Sequence, residues 1–214
     1  MNLELESKIG GRSPSSPLTP LGHKQSRAVG AALLRELLRR GINPQNTIWY
    51  SSTATRASAT AQLAMESMGL SASQLTQAPE LLELDMGHWE GAVRSECYTA
   101  QTLCQIDADP HNFAPPGGES QRKVEERMMS YISSTVVPAM SIEKPSVIVG
   151  HGMAIKCLLR YILNSDPRMS RKIALFNTAI TELGYVQEGM SANLQPGWHI
   201  LRVNDTSHLV SDSC

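Results

Sequence analysis

Residues 149–152 read Val-Gly-His-Gly, placed between an apolar β-branched run and an amphipathic helical pattern. Gly150 and Gly152 let the backbone turn sharply and let a ligand come close. The helix start that follows has free N–H groups and the positive end of the helix dipole, and so attracts anions. His151 at such a place can hydrogen-bond a phosphate or stabilise charge that develops during its transfer. It can equally be a structural histidine at a tight turn. A second junction has the same form. Residues 47–52, TIWYSS, read as a strand, and Arg56 falls in the first turn of the helix after it. A guanidinium there is placed for bidentate contact with a phosphate, although taken singly it also reads as a solvated surface arginine. Two strand-end anion sites in one sheet are harder to dismiss than one.

The elements around these junctions follow from periodicity and punctuation. Residues 19–41 predict a helix with Thr19 as N-cap, Pro20 at the first helical position, Val29, Ala32, Leu33 and Leu37 as its apolar stripe, and Arg39, Arg40 and Gly41 at its end. Residues 55–69 predict a second helix with Ala57, Ala61, Ala64, Met65 and Met68 on one face, the methionines as core filler. Residues 71–119, rich in Pro, Gly and polar side chains, read as irregular. Residues 120–137 predict a helix with Val124, Met128, Tyr131, Ile132 and Thr135 inward. Strand 146–150, helix 153–163 and strands 179–186 and 198–204 complete the chain. Strands alternating with helices imply an α/β fold with a mainly parallel sheet covered by helices on both faces. In such sheets ligands bind beyond the carboxyl ends of the strands.

Composition narrows the function classes. The 214 residues suit one domain, with 41% apolar and 18% charged residues and a formal net charge of −1. That balance gives no reason to expect nucleic acid or a membrane surface as a partner. No apolar run approaches the ~20 residues needed to span a bilayer, and residues 1–10 have no signal-peptide core. The chain is therefore expected to be soluble and cytoplasmic, or organellar if a leader precedes it. Cys97, Cys104, Cys157 and Cys214 form no Cys-x-x-Cys pair, so free thiols are expected, with no metal site and no cofactor.

Six stretches together resemble the histidine phosphatase (phosphoglycerate mutase-like) superfamily: GGRSPSSPLTPLGHKQ, SSTATRASATA, LLELDMGHWEG, PPGGES, VGHG and NTAITELGY with GWHILRVNDTSHL. They occur in the family's order across residues 2–210. The resemblance implies that His151 is the second active-site histidine, in contact with the phosphoryl group, and that Arg56 and Asn2 bind phosphate. It implies that Glu83 gives a proton to the leaving oxygen. Glu119 and Ser120 match a motif at the mouth of the pocket, structural or substrate-facing rather than catalytic, and the position of His88 in the loop of Glu83 allows it a rim role. The implied reaction is metal-independent hydrolysis of a phosphomonoester. A first histidine becomes phosphorylated, an acid protonates the leaving alcohol, and water then attacks.

The sequence departs from the family pattern at the nucleophile. The family's first histidine lies in Arg-His-Gly at the end of a first, central strand, and this tripeptide is absent. His23, His88, His111, His199 and His208 offer no evident substitute by position. The resemblance thus predicts a sheet without its first strand, and a chain shortened at that end as by truncation, splicing or an alternative start. A phosphatase is the leading expectation. A catalytically inactive protein that binds phosphate ligands or a protein partner is the alternative, and a phosphoglycerate mutase comes third. The segment about 92–118 is short for a cap, where mutases of the superfamily generally have a longer insertion, and this favours a phosphomonoesterase acting on a small phosphorylated substrate; between Ala92 and Ala114 it holds a single Lys or Arg, Arg94, which gives no signal for a highly phosphorylated one. The oligomeric state is left open, a homodimer among the options.

Overall fold

A computed structural model of the chain describes residues 8–13, 16–189 and 194–209. Helix α1 (Pro20–Arg39) begins at Thr19, whose side chain accepts the Gly22 N–H, and closes at Gly41 with φ +71°. Strand β1 (Ile48–Ser52) is almost wholly buried, and helix α2 (Thr55–Ser67) follows it directly. Strand β2 (Leu75–Ala78) comes next. A single turn, Arg94–Cys97, leads to helix α3 (Ala100–Ala108). Helix α4 (Gln121–Tyr131) runs into a π-helical turn, Ile132–Val136. Strand β3 (Ser146–Val149), helix α5 (Gly152–Leu163) and the hairpin of β4 (Ile180–Val186) and β5 (Gly197–Asp205) complete the order.

The parallel strands run in the order β2-β1-β3, and β4 and β5 form a separate antiparallel pair. Along β1, Trp49 enters a core built with α1 and α2, and Tyr50 enters another built with α4 and α5. Alternate side chains of one strand thereby anchor helices on both faces, as the sequence predicts. Among the described residues β3 pairs on one side only, with β1, and its four residues are all half-buried although three of them are apolar. Among the described residues no strand joins β3 to the β4–β5 pair, although Ile148 and Leu183 border one core and Val149 and Ile180 the other.

Two expectations change. The segment 71–119 contains a strand and a nine-residue helix, α3, capped by Thr99. β2 reads LTQA, with Thr76 and Gln77 exposed, so no alternation announces it. Its pairing with β1 is what makes it a strand. Thr135 is exposed, and Val136 takes its place in the core. The wide turn at Ile132–Val136 rotates the chain less per residue than an α-helix, so the inward face arrives one residue late.

Candidate active site

The three parallel strands are in register at their carboxyl ends, with Ser51 beside Val149 and Ser52 beside Ala78. The residues at and just past these ends gather at the same edge of the sheet: Ser52 as the last residue of β1, Arg56 in the first turn of α2, Glu83 after β2, and His151 after β3. His151 is the N-cap residue of α5 and is buried, and its Nε2 lies 2.7 Å from the Ser52 hydroxyl. The Ser52 oxygen also accepts the Ala54 N–H at 3.0 Å, which leaves its proton free for the imidazole. Burial, and then the positive charges of Arg56, Arg127 and Arg12, push the His151 pKa from its usual 6.5 down to about 3. The ring is therefore neutral near pH 7 and sits within reach of three guanidinium fields.

Arg12 arrives from a segment fixed by main-chain bonds. Ile9 is buried and donates its N–H to the Ala92 carbonyl at 3.0 Å. Gly11 has φ +55°, which strains a residue with a side chain, and a Cβ there would push the Glu90 carboxylate aside. Glu90 in turn accepts the Arg12 N–H at 2.5 Å. The Arg12 side chain donates to the Glu83 carbonyl at 2.9 Å, to Asp85 at 3.3 Å and to Glu119 at 2.6 Å. Arg127 on α4 grips the other side of Glu119 at 3.0 and 3.1 Å, and also donates to the carbonyls of Glu80 and Glu83. Arg56 donates to the carbonyls of Gly11 at 2.8 Å and Ser13 at 3.3 Å. Glu83 Oε1 accepts the N–H groups of Leu84 and Ala154 at 2.8 and 2.9 Å, and Oε2 accepts that of Met153 at 3.1 Å. Its carboxylate thus lies on the first turn of α5, beside His151.

His151, Arg56 and Glu83 come together with Glu119. Two other sequence-predicted residues take structural positions. Ser120 is buried as the N-cap of α4, its hydroxyl accepting the Lys123 N–H at 3.3 Å, so it does not face the pocket mouth. His88 is exposed; its N–H donates to the Pro116 carbonyl and its ring covers Gly117, so it clasps the two loops together. Asn2 lies outside the described residues. Sequence reasoning missed Arg12, Arg127 and Ser52. The position of Arg12 in GGR, directly after two glycines, is the one local signal; Arg127 looks like an ordinary surface arginine of a charged helix. Among the described residues no group of three or more His, Cys, Asp or Glu side chains is arranged to hold a metal ion.

A neutral histidine, three arginines and a helix N-terminus at one sheet edge form a site suited to a phosphoryl group. The chain belongs to the histidine phosphatase superfamily (branch 1), whose family model matches residues 3–195. It is 31% identical over 205 residues to the "Probable phosphoglycerate mutase GpmB" of Yersinia enterocolitica, covering 94% of this chain and 87% of that one. The fold is similar to that of Bacillus stearothermophilus YhfR, with a TM-score of 0.75 at 23% identity over 97% of this chain and 94% of the other. It is also similar to a mycobacterial glucosyl-3-phosphoglycerate phosphatase, with a TM-score of 0.72 at 23% identity over 94% and 92%. Among the described residues no helix is long and apolar enough to cross a membrane.

Proposed function

We propose that this chain forms one domain that binds the phosphoryl group of a small phosphomonoester at the β1, β2 and β3 strand ends, and that the reaction served there is metal-independent hydrolysis through a phosphohistidine. The observation that carries this reading is the neutral, buried His151 surrounded by Arg12, Arg56 and Arg127. In the phosphoryl transfer, the bond from phosphorus to the alcohol oxygen breaks as a bond forms to the first histidine of the family's Arg-His-Gly, a tripeptide that this sequence does not contain. The arginines and His151 balance charge on the equatorial oxygens, and Glu83 supplies the proton to the departing alkoxide. Water then cleaves the phosphorus–nitrogen bond and releases inorganic phosphate. Hydrolysis is favoured over mutase chemistry because Arg94, the single Lys or Arg between Ala92 and Ala114, already lies over the Tyr98 ring at 5.3 Å. A doubly phosphorylated substrate would need free cations there.

One observation favours a second reading, phosphate-ligand binding without turnover. Arg-His-Gly is absent from the sequence, and among the described residues the side chains of His23, His88, His111, His199 and His208 make no hydrogen bond to a site residue. In a well-studied serine protease, losing the nucleophile costs on the order of 10⁶ in kcat. The deciding experiment combines turnover of p-nitrophenyl phosphate and a phosphomonoester panel with calorimetric binding of inorganic phosphate. Wild type is compared with Arg56→Ala and His151→Ala. Turnover with an acid-labile phosphohistidine supports hydrolysis. Phosphate binding without turnover, lost in both variants, supports the second reading. Phosphate affinity that is the same in all three proteins overturns the site.

A further inference from the structure

The α5 N-terminus at the candidate site is already occupied, by a carboxylate of the same chain. His151, the N-cap residue, makes no side-chain cap, so the first N–H groups of α5 need another acceptor. Glu83 supplies it, taking the N–H of Met153 on one oxygen and that of Ala154 on the other. The same oxygen that takes Ala154 also takes the N–H of Leu84. The Glu83 main chain is held at the same time, with its carbonyl accepting from both Arg12 and Arg127. Only the side chain is free to move. The first residue of α5 is open to solvent, since a Cβ added at Gly152 would meet nothing within 4 Å.

We infer that Glu83 is an internal, displaceable occupant of the phosphate site: a phosphoryl group takes over the Met153 and Ala154 N–H groups and expels the carboxylate, which takes up a proton from solvent and is then free to deliver it to the leaving oxygen. This rests on the phosphate-binding reading above and adds a gate to it. Two anions cannot share one helix terminus without repulsion, and a phosphoryl group offers more charge and more acceptor oxygens than a carboxylate. With both oxygens engaged by main-chain donors, Glu83 has none directed at an ester. Displacement therefore couples arrival of the substrate to release of its proton donor.

The test is inorganic phosphate binding at fixed pH and salt, by calorimetry, for wild type, Glu83→Ala, Glu83→Gln and Arg56→Ala. Removing the competitor should tighten phosphate binding about tenfold in Glu83→Ala, equivalent to ~1.4 kcal/mol, with Glu83→Gln in between. If Glu83→Ala binds phosphate no tighter than wild type while Arg56→Ala binds it more weakly, the gate is wrong and the site stands. If wild type and both Glu83 variants bind no phosphate, the phosphate site itself fails. Should Glu83→Ala not fold, amide spectra of the wild type decide. The Met153, Ala154 and Leu84 N–H signals should all move on adding phosphate, because Leu84 loses the same carboxylate oxygen. Shifts at Met153 and Ala154 that leave Leu84 in place would overturn displacement.

Discussion

Helix α4 and the residues just before it carry two arginine–carboxylate clusters with opposite purposes. On one side, Glu125 is gripped by Arg160 of α5 and by His111 at 2.7 Å, and Arg160 also donates to the Ser165 carbonyl. On the other, Arg127 and Arg12 hold Glu119 at the sheet edge beside His151. The ion-pairing chemistry is the same, but the solvation differs. The Glu125 and Arg160 side chains are 7% and 2% exposed, whereas Glu119, Arg127 and Arg12 are 17%, 16% and 25% exposed. Glu125 and Arg127 stand two residues apart, about 200° around the helix, which is why one enters the core and the other the site. A carboxylate held by arginine is thus no signature of function. What separates the clusters is whether a ligand can reach the cations.

The largest expected effect lies in the core cluster. Arg160→Ala leaves a buried Glu125 charge with only His111 beside it, and should destabilise the fold by roughly 3–5 kcal/mol. Denaturant unfolding would measure this, and the double variant Arg160→Met with Glu125→Leu should recover most of it. A loss below ~1 kcal/mol for Arg160→Ala would erase the distinction between the clusters.

The next effect is pH dependence at the site. The pKa of His151 is about 3 in the fold and 6.5 in its ordinary state. The unfolded chain therefore binds the proton first, and stability is complete above pH 6.5 and lost as pH falls toward 3. Across that window the slope from this group approaches ~1.4 kcal/mol per pH unit. Stability curves for wild type and His151→Asn should diverge below pH 6.5, and parallel curves would refute the buried neutral ring.

Arg127→Ala then sharpens the comparison from the site side. Glu119 keeps Arg12, so stability should fall by no more than ~1–2 kcal/mol, while phosphate affinity drops roughly tenfold through loss of a charge-assisted donor. Titration calorimetry paired with thermal unfolding separates these outcomes. A smaller effect is expected for Ser120→Ala, about 1 kcal/mol of stability from the lost α4 cap with phosphate affinity unchanged. Weaker phosphate binding in that variant would restore Ser120 to the pocket rim. The subtlest contrast is chemical. Burial, with Glu125 nearby, pushes the Cys157 thiol up to about 12. An alkylating reagent at pH 8 should label exposed Cys104 and leave Cys157 untouched in the native protein, as mass spectrometry would show.

Much of this architecture is legible in the sequence, because it rests on local chemistry. Thr19, Pro20 and Gly41 bound α1 through cap and φ preferences that act within a residue or two of each helix end, and the burial of Ala57, Ala61, Ala64 and Met65 follows from helical spacing alone. His151 and Arg56 could be picked out because each stands at a strand-to-helix junction visible in the pattern, and Glu83 because of its motif. The tertiary structure decided the rest. β2 exists through its ladder to β1, and its four residues carry no periodic signal. The Ser52–His151 contact joins residues 99 apart, and the Arg12–Glu119 pair joins residues 107 apart. An arginine has five donors and a long flexible stem, so nothing in its neighbours along the chain says whether it ends in solvent, in a core or beside a histidine. Arg127 and Arg160 acquired their different roles only when α4 packed between the sheet edge and α5.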